Sequence, residues 1–96
     1  MNTDKMLAYI GRKIASYYAL LANGDNTERT NVKLYAKIEV LLELLDKFNI
    51  EYEFIGNTEC TERVSWYDFD GIIINKRSYT YTIKDYAIWT FYINEA

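Results

Sequence analysis

Histidine and proline are absent from this 96-residue sequence, which has only one cysteine and four glycines. Without histidine the chain cannot build a Ser-His-Asp or Cys-His nucleophilic site, and it has no imidazole to offer a metal ion. Cys60 stands alone, so neither an intramolecular disulfide nor a thiolate metal site can form, which fits a reducing compartment. The glycines are too widely spaced for a loop that cradles phosphate. These absences predict a protein that is not an enzyme and that uses no metal or cofactor.

Long apolar runs are also missing. The longest purely aliphatic run is Ile72-Ile73-Ile74, far short of the roughly 20 residues that a membrane-spanning helix needs. The N-terminal residues lead straight into an amphipathic pattern, without the leader that is typical of a signal peptide. We therefore expect a cytoplasmic protein with no membrane partner.

The sequence does contain enough apolar residues for one packed domain. Half of the residues are hydrophobic, and ten are tyrosines, whose rings bury apolar area while their hydroxyls need a partner. Residues 1–49 carry seven basic and six acidic side chains, whereas residues 50–96 carry four basic and eight acidic ones. Most of this excess lies in residues 51–70, where six acids accompany a single base, Arg63. Such a stretch repels phosphate backbones and favours a basic partner.

Two amphipathic helices are predicted in the first half of the chain. Apolar residues recur at spacings of three and four over about 4–22 and again over about 28–48, which places them on one stripe of each helix. Asn23-Gly24 and Asn49 are suited to the left-handed conformation that ends helices. The stripes consist of Leu7, Ile10, Ile14, Tyr17 and Leu21 in the first helix and Leu34, Ile38, Leu41, Leu45 and Phe48 in the second. The short connection between them predicts an antiparallel helical hairpin.

The second half of the chain has the period of a sheet. After residue 49 the apolar period changes from 3.6 to 2, beginning with the alternating residues 50–54. Strands are predicted over about 50–55, 62–69, 72–75, 79–83 and 86–93. Asp70-Gly71 is a two-residue hairpin signal, residues 75–78 form a predicted polar turn, and Lys84-Asp85 is a predicted tight connection.

These elements predict an α+β fold, in which an N-terminal antiparallel helical hairpin packs on one face of a four- or five-stranded antiparallel β-meander. All of residues 1–96 belong to this one predicted domain. The last predicted strand has apolar residues on both faces, Tyr86, Ile88 and Tyr92 on one and Ala87, Trp89, Phe91 and Ile93 on the other. That pattern favours a central position in the sheet. An edge position would instead invite pairing with another chain.

One short motif points toward catalysis. Asp68-Phe69-Asp70-Gly71 resembles the DxDG start of haloacid-dehalogenase-type phosphatases, in which the first aspartate is a nucleophile at a strand end. Only 26 residues follow Asp70, too few for the parallel sheet and the downstream lysine and acids of such a site. As half of a calcium loop, the motif would place its first ligand at Trp66, which cannot coordinate. We interpret it as a hairpin turn flanked by acids.

In overall character the chain resembles small accessory proteins of bacteriophages and other mobile elements, a group that includes anti-CRISPR inhibitors. The resemblance is carried by the small size, the acidic charge and the lack of catalytic residues. It implies a non-catalytic protein-binding module that occupies the nucleic-acid-binding surface of a host defence effector, such as a CRISPR nuclease, in a bacterial or infected host cell. The candidate partner-binding residues are acids with aromatic anchors among them, namely Glu51, Glu53, Glu62, Trp66, Tyr67, Asp68 and Asp70, with Tyr52 as a further anchor.

Two other functions also fit the sequence. Basic residues are interleaved with tyrosines in the set Lys76, Arg77, Tyr79, Tyr81, Lys84 and Tyr86. That is the composition of a stacking platform for single-stranded nucleic acid, although the net charge of −3 and the acidic residues 51–70 oppose it. Alternatively, the helix stripes or the last strand mediate self-association, into a homodimer or a structural assembly.

Overall fold

The computed structural model describes residues 3–56 and 63–96, and it confirms the predicted α+β fold. Two helices precede a four-stranded antiparallel sheet: α1 (Thr3–Leu21), α2 (Glu28–Lys47), β1 (Tyr52–Phe54), β2 (Ile72–Ile74), β3 (Arg77–Asp85) and β4 (Thr90–Glu95). α1 packs against both α2 and the sheet, so the helical hairpin covers one face, which we call the inner face. The opposite, outer face carries exposed residues, among them Glu53, Thr82 and Tyr92.

Local sequence explains where α2 begins and ends. Thr27 is its N-cap, and the Thr27 hydroxyl accepts a hydrogen bond from the backbone N–H of Thr30 at 3.2 Å. Asn49 has φ 57, which confirms the predicted left-handed stop. The N–H of Ile50 then donates to the carbonyl of Leu45 at 2.8 Å, as in a Schellman motif.

The strand order β1-β2-β3-β4 follows the sequence, so β4 is an edge strand. The predicted central position of the last strand is therefore wrong. The apolar residues that suggested a central strand belong to two different elements, a turn and β4. Tyr86 and Ile88 lie in the turn before β4 and are 74% and 72% exposed, whereas Phe91 and Ile93 are half-buried on the inner face of β4.

The strand predicted over 62–69 is not formed by residues 63–69, and residue 62 lies outside the described residues. Residues 66–68 form a 3-10 helix instead. The hydroxyl of Tyr18 donates to the carbonyl of Val64 at 2.7 Å, and the hydroxyl of Tyr35 accepts from the N–H of Trp66 at 2.9 Å. Because helix side chains satisfy these backbone groups, the segment runs along the helical hairpin and does not join the sheet.

The tight turns also differ from the prediction. Asp70-Gly71 does not close a hairpin, because Gly71 leads directly into β2, and its carbonyl accepts from the N–H of Ile55 at 2.9 Å. The two-residue hairpin lies between β2 and β3 at Asn75 and Lys76. These residues have φ 50 and 71, the positive values that a type I′ turn requires.

β3 continues through the predicted Lys84-Asp85 connection, and the turn to β4 occupies residues 86–89. The Asp85 carboxylate accepts a hydrogen bond from the N–H of Ala87 at 2.8 Å, a local bond that favours a turn. Trp89 completes the turn with φ 52. As a result the last strand begins four residues later than predicted, at Thr90.

The core lies between the helical hairpin and the inner face of the sheet. Small residues allow α1 to approach the sheet closely, because a β-carbon built on Gly11 would lie 2.5 Å from the ring of Tyr79 in β3. The largest fully buried side chains come from both helices and three strands: Tyr18, Tyr79, Phe54, Ile14, Leu21, Ile38, Leu45, Ile72 and Ile74. Phe48, predicted for the α2 stripe, is 57% exposed at the end of that helix.

Replacing Lys76 by glycine is expected to stabilise the fold. The positive φ of Lys76 strains a residue that has a β-carbon, whereas glycine adopts it without strain. Lys76→Gly should therefore raise the free energy of unfolding by roughly 0.5–1 kcal/mol. Urea denaturation measures the change. Lys33→Gly is the control, because it removes an exposed lysine from within α2 and should lower stability. If the free energy of unfolding of Lys76→Gly does not exceed that of the unmodified chain, the assignment of the turn is contradicted.

Candidate functional site

The acidic residues predicted to bind a partner are exposed, but they lie on different parts of the surface. Glu51 precedes β1, and Glu53 lies on the outer face opposite Ile73 of β2. Glu62 lies outside the described residues. The exposed 3-10 helix carries Trp66, Tyr67 and Asp68. Asp70 follows this helix, and of the set's described members it alone lines the groove described below.

The predicted basic and aromatic platform is not assembled. Tyr79 is 1% exposed against α1. Burial raises the pKa of its hydroxyl, and the nearby Glu95 raises it further. Lys76 and Lys84 lie near opposite ends of β3, roughly 25 Å apart at about 3.3 Å per residue. Arg77 is 3.9 Å from the Glu95 carboxylate. A buried tyrosine cannot stack on a nucleobase, so these residues do not offer one continuous stacking surface.

β3 is longer than β2, which leaves part of one edge of β3 unpaired. The pairing of β3 with β2 ends where Tyr79 meets Ile72, whereas its pairing with β4 reaches Asp85. Ser78 and Ala96 exchange two backbone hydrogen bonds, of 2.9 and 3.1 Å. In an antiparallel ladder such exchanging pairs alternate, so the even-numbered residues of this part of β3 bond to β4.

The odd-numbered residues of β3 therefore direct their backbone groups away from β4. For Tyr81 and Ile83 this is the side that β2 does not reach, and within the described residues no backbone group is hydrogen-bonded to them there. We call the backbone N–H and C=O groups of Tyr81 and Ile83 the open edge. It is a short stretch of strand that is ready to pair with another extended segment.

A groove of about 560 Å³ lies at the open edge. Three parts of the chain contribute side chains to it: the C-terminal half of β3, the residues that follow the 3-10 helix, and the turn before β4. We call it the aromatic groove, and its lining residues are Ala22, Phe69, Asp70, Thr80, Tyr81, Thr82, Ile83, Tyr86 and Trp89. Its volume is in the usual range for ligand sites.

Trp89 is fixed in the groove by a hydrogen bond to α1. Its indole Nε1–H donates to the backbone carbonyl of Ala19 at 2.8 Å, which satisfies one of the carbonyls that a helix leaves without an intrahelical partner at its C-terminus. The ring of Tyr86 packs edge-on against Trp89, with ring centroids 5.7 Å apart. This contact leaves Tyr86 at the exposed rim of the groove, beside a tryptophan that is hydrogen-bonded to α1.

Phe69 is held by rings on both sides. Its ring stacks on the fully buried Tyr18 at 3.9 Å, with 6° between the ring planes, and on Tyr81 at 6.1 Å, with 5° between the planes. Tyr18 also holds the carbonyl of Val64 through its hydroxyl. The stack fixes the position of Asp70, the residue after Phe69.

Among the described residues that line the groove, Asp70 alone carries a formal charge. Burial raises the pKa of the Tyr81 hydroxyl, and the nearby Tyr86 and Asp70 raise it further. Tyr81 is therefore a neutral hydrogen-bond donor at physiological pH. The groove combines aromatic rings, hydroxyls and one carboxylate, an arrangement that suits a cation.

Phe69 and Trp89 were not among the residues that the sequence predicted for a site, whereas Tyr86 belonged to the predicted nucleic-acid platform. Their apolar alternation indicated strands, and only Asp85, a residue that favours turns, signalled that residues 86–89 leave the sheet. Asp70 and Tyr81 were predicted, but for two different functions. The structure brings these two together in one groove.

No group of three or more His, Cys, Asp or Glu side chains in residues 3–56 and 63–96 is placed to hold a metal ion. In the same ranges no helix is long and apolar enough to cross a membrane. Comparisons with models of protein families, with curated proteins and with solved structures found no match. The function is therefore inferred from the chemistry of the groove itself.

Proposed function

We propose that this chain is a non-catalytic protein-binding module whose aromatic groove holds an extended, basic segment of a partner protein. The proposal is carried by one observation, the presence of an unpaired strand edge beside four aromatic side chains and one carboxylate. The open edge suits an extended backbone, and the side chains of the groove suit a cation.

The chemistry of the side chains favours arginine as the occupant. Cations are attracted to aromatic faces, with a gain of up to about 2 kcal/mol where water is excluded. A guanidinium is planar, so it stacks on a ring while its N–H groups donate to a carboxylate such as that of Asp70. A lysine ammonium makes the charge contact without the planar stacking. We therefore expect arginine to bind more tightly than lysine.

The open edge favours an extended segment over a helix. A peptide that pairs with the N–H and C=O groups of Tyr81 and Ile83 adds a strand to the sheet at the place where β2 ends. Side chains of a strand alternate between its two faces, so every second residue of the peptide faces the groove. A sequence with arginine at alternate positions is the expected ligand.

The surroundings of the groove support a basic partner as well. Asp68 is exposed just before the groove-lining Phe69, and the chain carries a net charge of −3. Basic segments of this kind are common in proteins that bind nucleic acids, because they neutralise phosphates. Inhibition of such a host protein, as the resemblance to phage accessory proteins implies, stays a prediction.

Synthetic peptides with arginine, lysine or glutamine alternating with threonine test the proposal. In a Trp66→Phe variant, Trp89 is the only tryptophan, so its fluorescence reports on the groove directly. We expect the arginine peptide to bind best, the lysine peptide more weakly and the glutamine peptide not at all. Asp70→Asn should weaken the arginine peptide at least about tenfold, because a charge-assisted hydrogen bond contributes roughly 1.5–3 kcal/mol.

Asp46→Asn is the matched control, since it makes the same change of charge at an exposed position on α2. Binding by Asp46→Asn should equal that of the parent variant. An equal loss in both variants would show attraction to net charge alone, which contradicts a site in the groove. Tighter binding of oligothymidylate than of the arginine peptide would instead support the nucleic-acid function.

A further inference from the structure

The outer edge of β4 is a second unpaired strand edge, on the other side of the sheet from β1. Because Ser78 exchanges hydrogen bonds with Ala96, the even-numbered residues of β4 bond to β3. The odd-numbered residues Phe91, Ile93 and Glu95 then direct their N–H and C=O groups outward. Within the described chain no strand lies beyond β4.

This edge has few of the features that usually prevent strands from pairing. Natural edge strands are protected by proline, lysine, bulges or very short length. β4 has six residues, TFYINE, with no proline and no basic side chain, and the irregularity of its ladder with β3 is confined to its first residue, Thr90. Its one charged residue, Glu95, is bound on the inner face by Arg12 and lies 3.9 Å from Arg77.

We propose that the outer edge of β4 pairs antiparallel with β4 of a second copy of this chain, which joins the two sheets into one. The sequence of β4 fits itself in the register that places Tyr92 on the two-fold axis. Phe91 then lies opposite Ile93 of the second copy, and Thr90 opposite Asn94 of the second copy. Apolar residues therefore meet on the inner face, and polar or aromatic ones on the outer face.

In this register the outward backbone groups are satisfied in pairs. Phe91 of the first copy exchanges two hydrogen bonds with Ile93 of the second copy. By symmetry, Ile93 of the first copy does the same with Phe91 of the second. The two Tyr92 side chains form the intervening pair without hydrogen bonds, with Cβ atoms about 4.5–5.5 Å apart. Tyr92 is 52% exposed in the single chain, so its ring has apolar area left to bury. The pairing uses neither the aromatic groove nor its open edge.

Sedimentation velocity over a roughly hundredfold range of concentration tests the pairing. The unmodified chain is compared with variants that carry a charged residue at position 92. Tyr92→Lys sets two like charges directly across the axis and should weaken dimerisation at least about tenfold. Glu53→Lys is the control, because Glu53 is exposed on the same outer face but lies on β1, at the other side of the sheet from β4. An equimolar mixture of Tyr92→Lys and Tyr92→Glu should form the dimer again.

Amide hydrogen exchange of the unmodified chain gives a readout that needs no variant. The N–H groups of Phe91 and Ile93 should become protected as concentration rises, whereas that of Tyr92, bonded to β3, is protected throughout. A monomer at every concentration would overturn the proposal. So would a dimer that Tyr92→Lys leaves intact, or one that Glu53→Lys weakens equally.

Discussion

Gly11→Ala should lower the free energy of unfolding by about 2 kcal/mol, although alanine is the better helix former. In an exposed helix the exchange is expected to stabilise by roughly 0.5–1 kcal/mol. In α1, however, the added methyl group would lie 2.5 Å from ring carbons of Tyr79, which is itself fully buried and cannot swing away. Overpacking of this kind costs about 1–3 kcal/mol, so the steric effect outweighs helix propensity. Urea denaturation and the thermal midpoint both report the loss.

Two further variants separate the contact with Tyr79 from other effects of alanine. A β-carbon on Gly24 meets nothing within 4 Å, so Gly24→Ala should leave the free energy of unfolding nearly unchanged. In a Tyr79→Leu background the ring is gone, and Gly11→Ala should cost much less than in the unmodified chain. If Gly11→Ala is as harmless as Gly24→Ala, the close packing of α1 on β3 is incorrect.

Truncating Tyr18 should be the most destabilising change considered, with a loss of about 3–5 kcal/mol for Tyr18→Ala. The side chain is fully buried, stacks on Phe69 and meets Phe54 edge-on, so its removal opens a cavity at the centre of the core. Tyr18→Phe keeps the ring and removes the hydroxyl that donates to the carbonyl of Val64. A buried carbonyl without a partner costs roughly 1–3 kcal/mol. The free energy of unfolding of Tyr18→Phe should therefore lie between that of the unmodified chain and that of Tyr18→Ala.

Tyr67→Phe is the control for Tyr18→Phe, because Tyr67 is 71% exposed and its loss of a hydroxyl should not change the urea midpoint. Tyr18→Phe is also expected to weaken the arginine peptide, since the Tyr18 hydroxyl holds the carbonyl of Val64 in the segment that leads to Asp70. Equal stability of the Tyr18→Phe and Tyr67→Phe variants would contradict the role of the Tyr18 hydroxyl in holding the segment before the groove.

The helices and the general fold were predictable because their signals are local. The stripe spacing located both helices, and Asn49 marked the end of α2 through its tolerance of positive φ. The segment around Val64 and Trp66 was not predictable from its own alternation. Its conformation depends on hydrogen bonds to the hydroxyls of Tyr18 and Tyr35, which lie far away in the sequence.

The groove was less predictable than the fold. Asp70 and Tyr81 were recognised as candidates from their charge and aromatic character. Their meeting depends on where β2 stops relative to β3, which is a matter of register and not of composition. The position of Trp89 depends on a hydrogen bond to the carbonyl of Ala19 on α1, a contact that no pattern within β4 signals.

Mapping the bound arginine peptide by NMR is the most direct test of the groove as the binding site. The proposal predicts that the largest shifts fall on the indole N–H of Trp89 and on the backbone amides of Tyr81 and Ile83. Those two amides should also become protected from hydrogen exchange, because the peptide pairs with the open edge. Shifts confined to exposed acids such as Glu51 and Asp46, with Tyr81 and Ile83 unchanged, would contradict it.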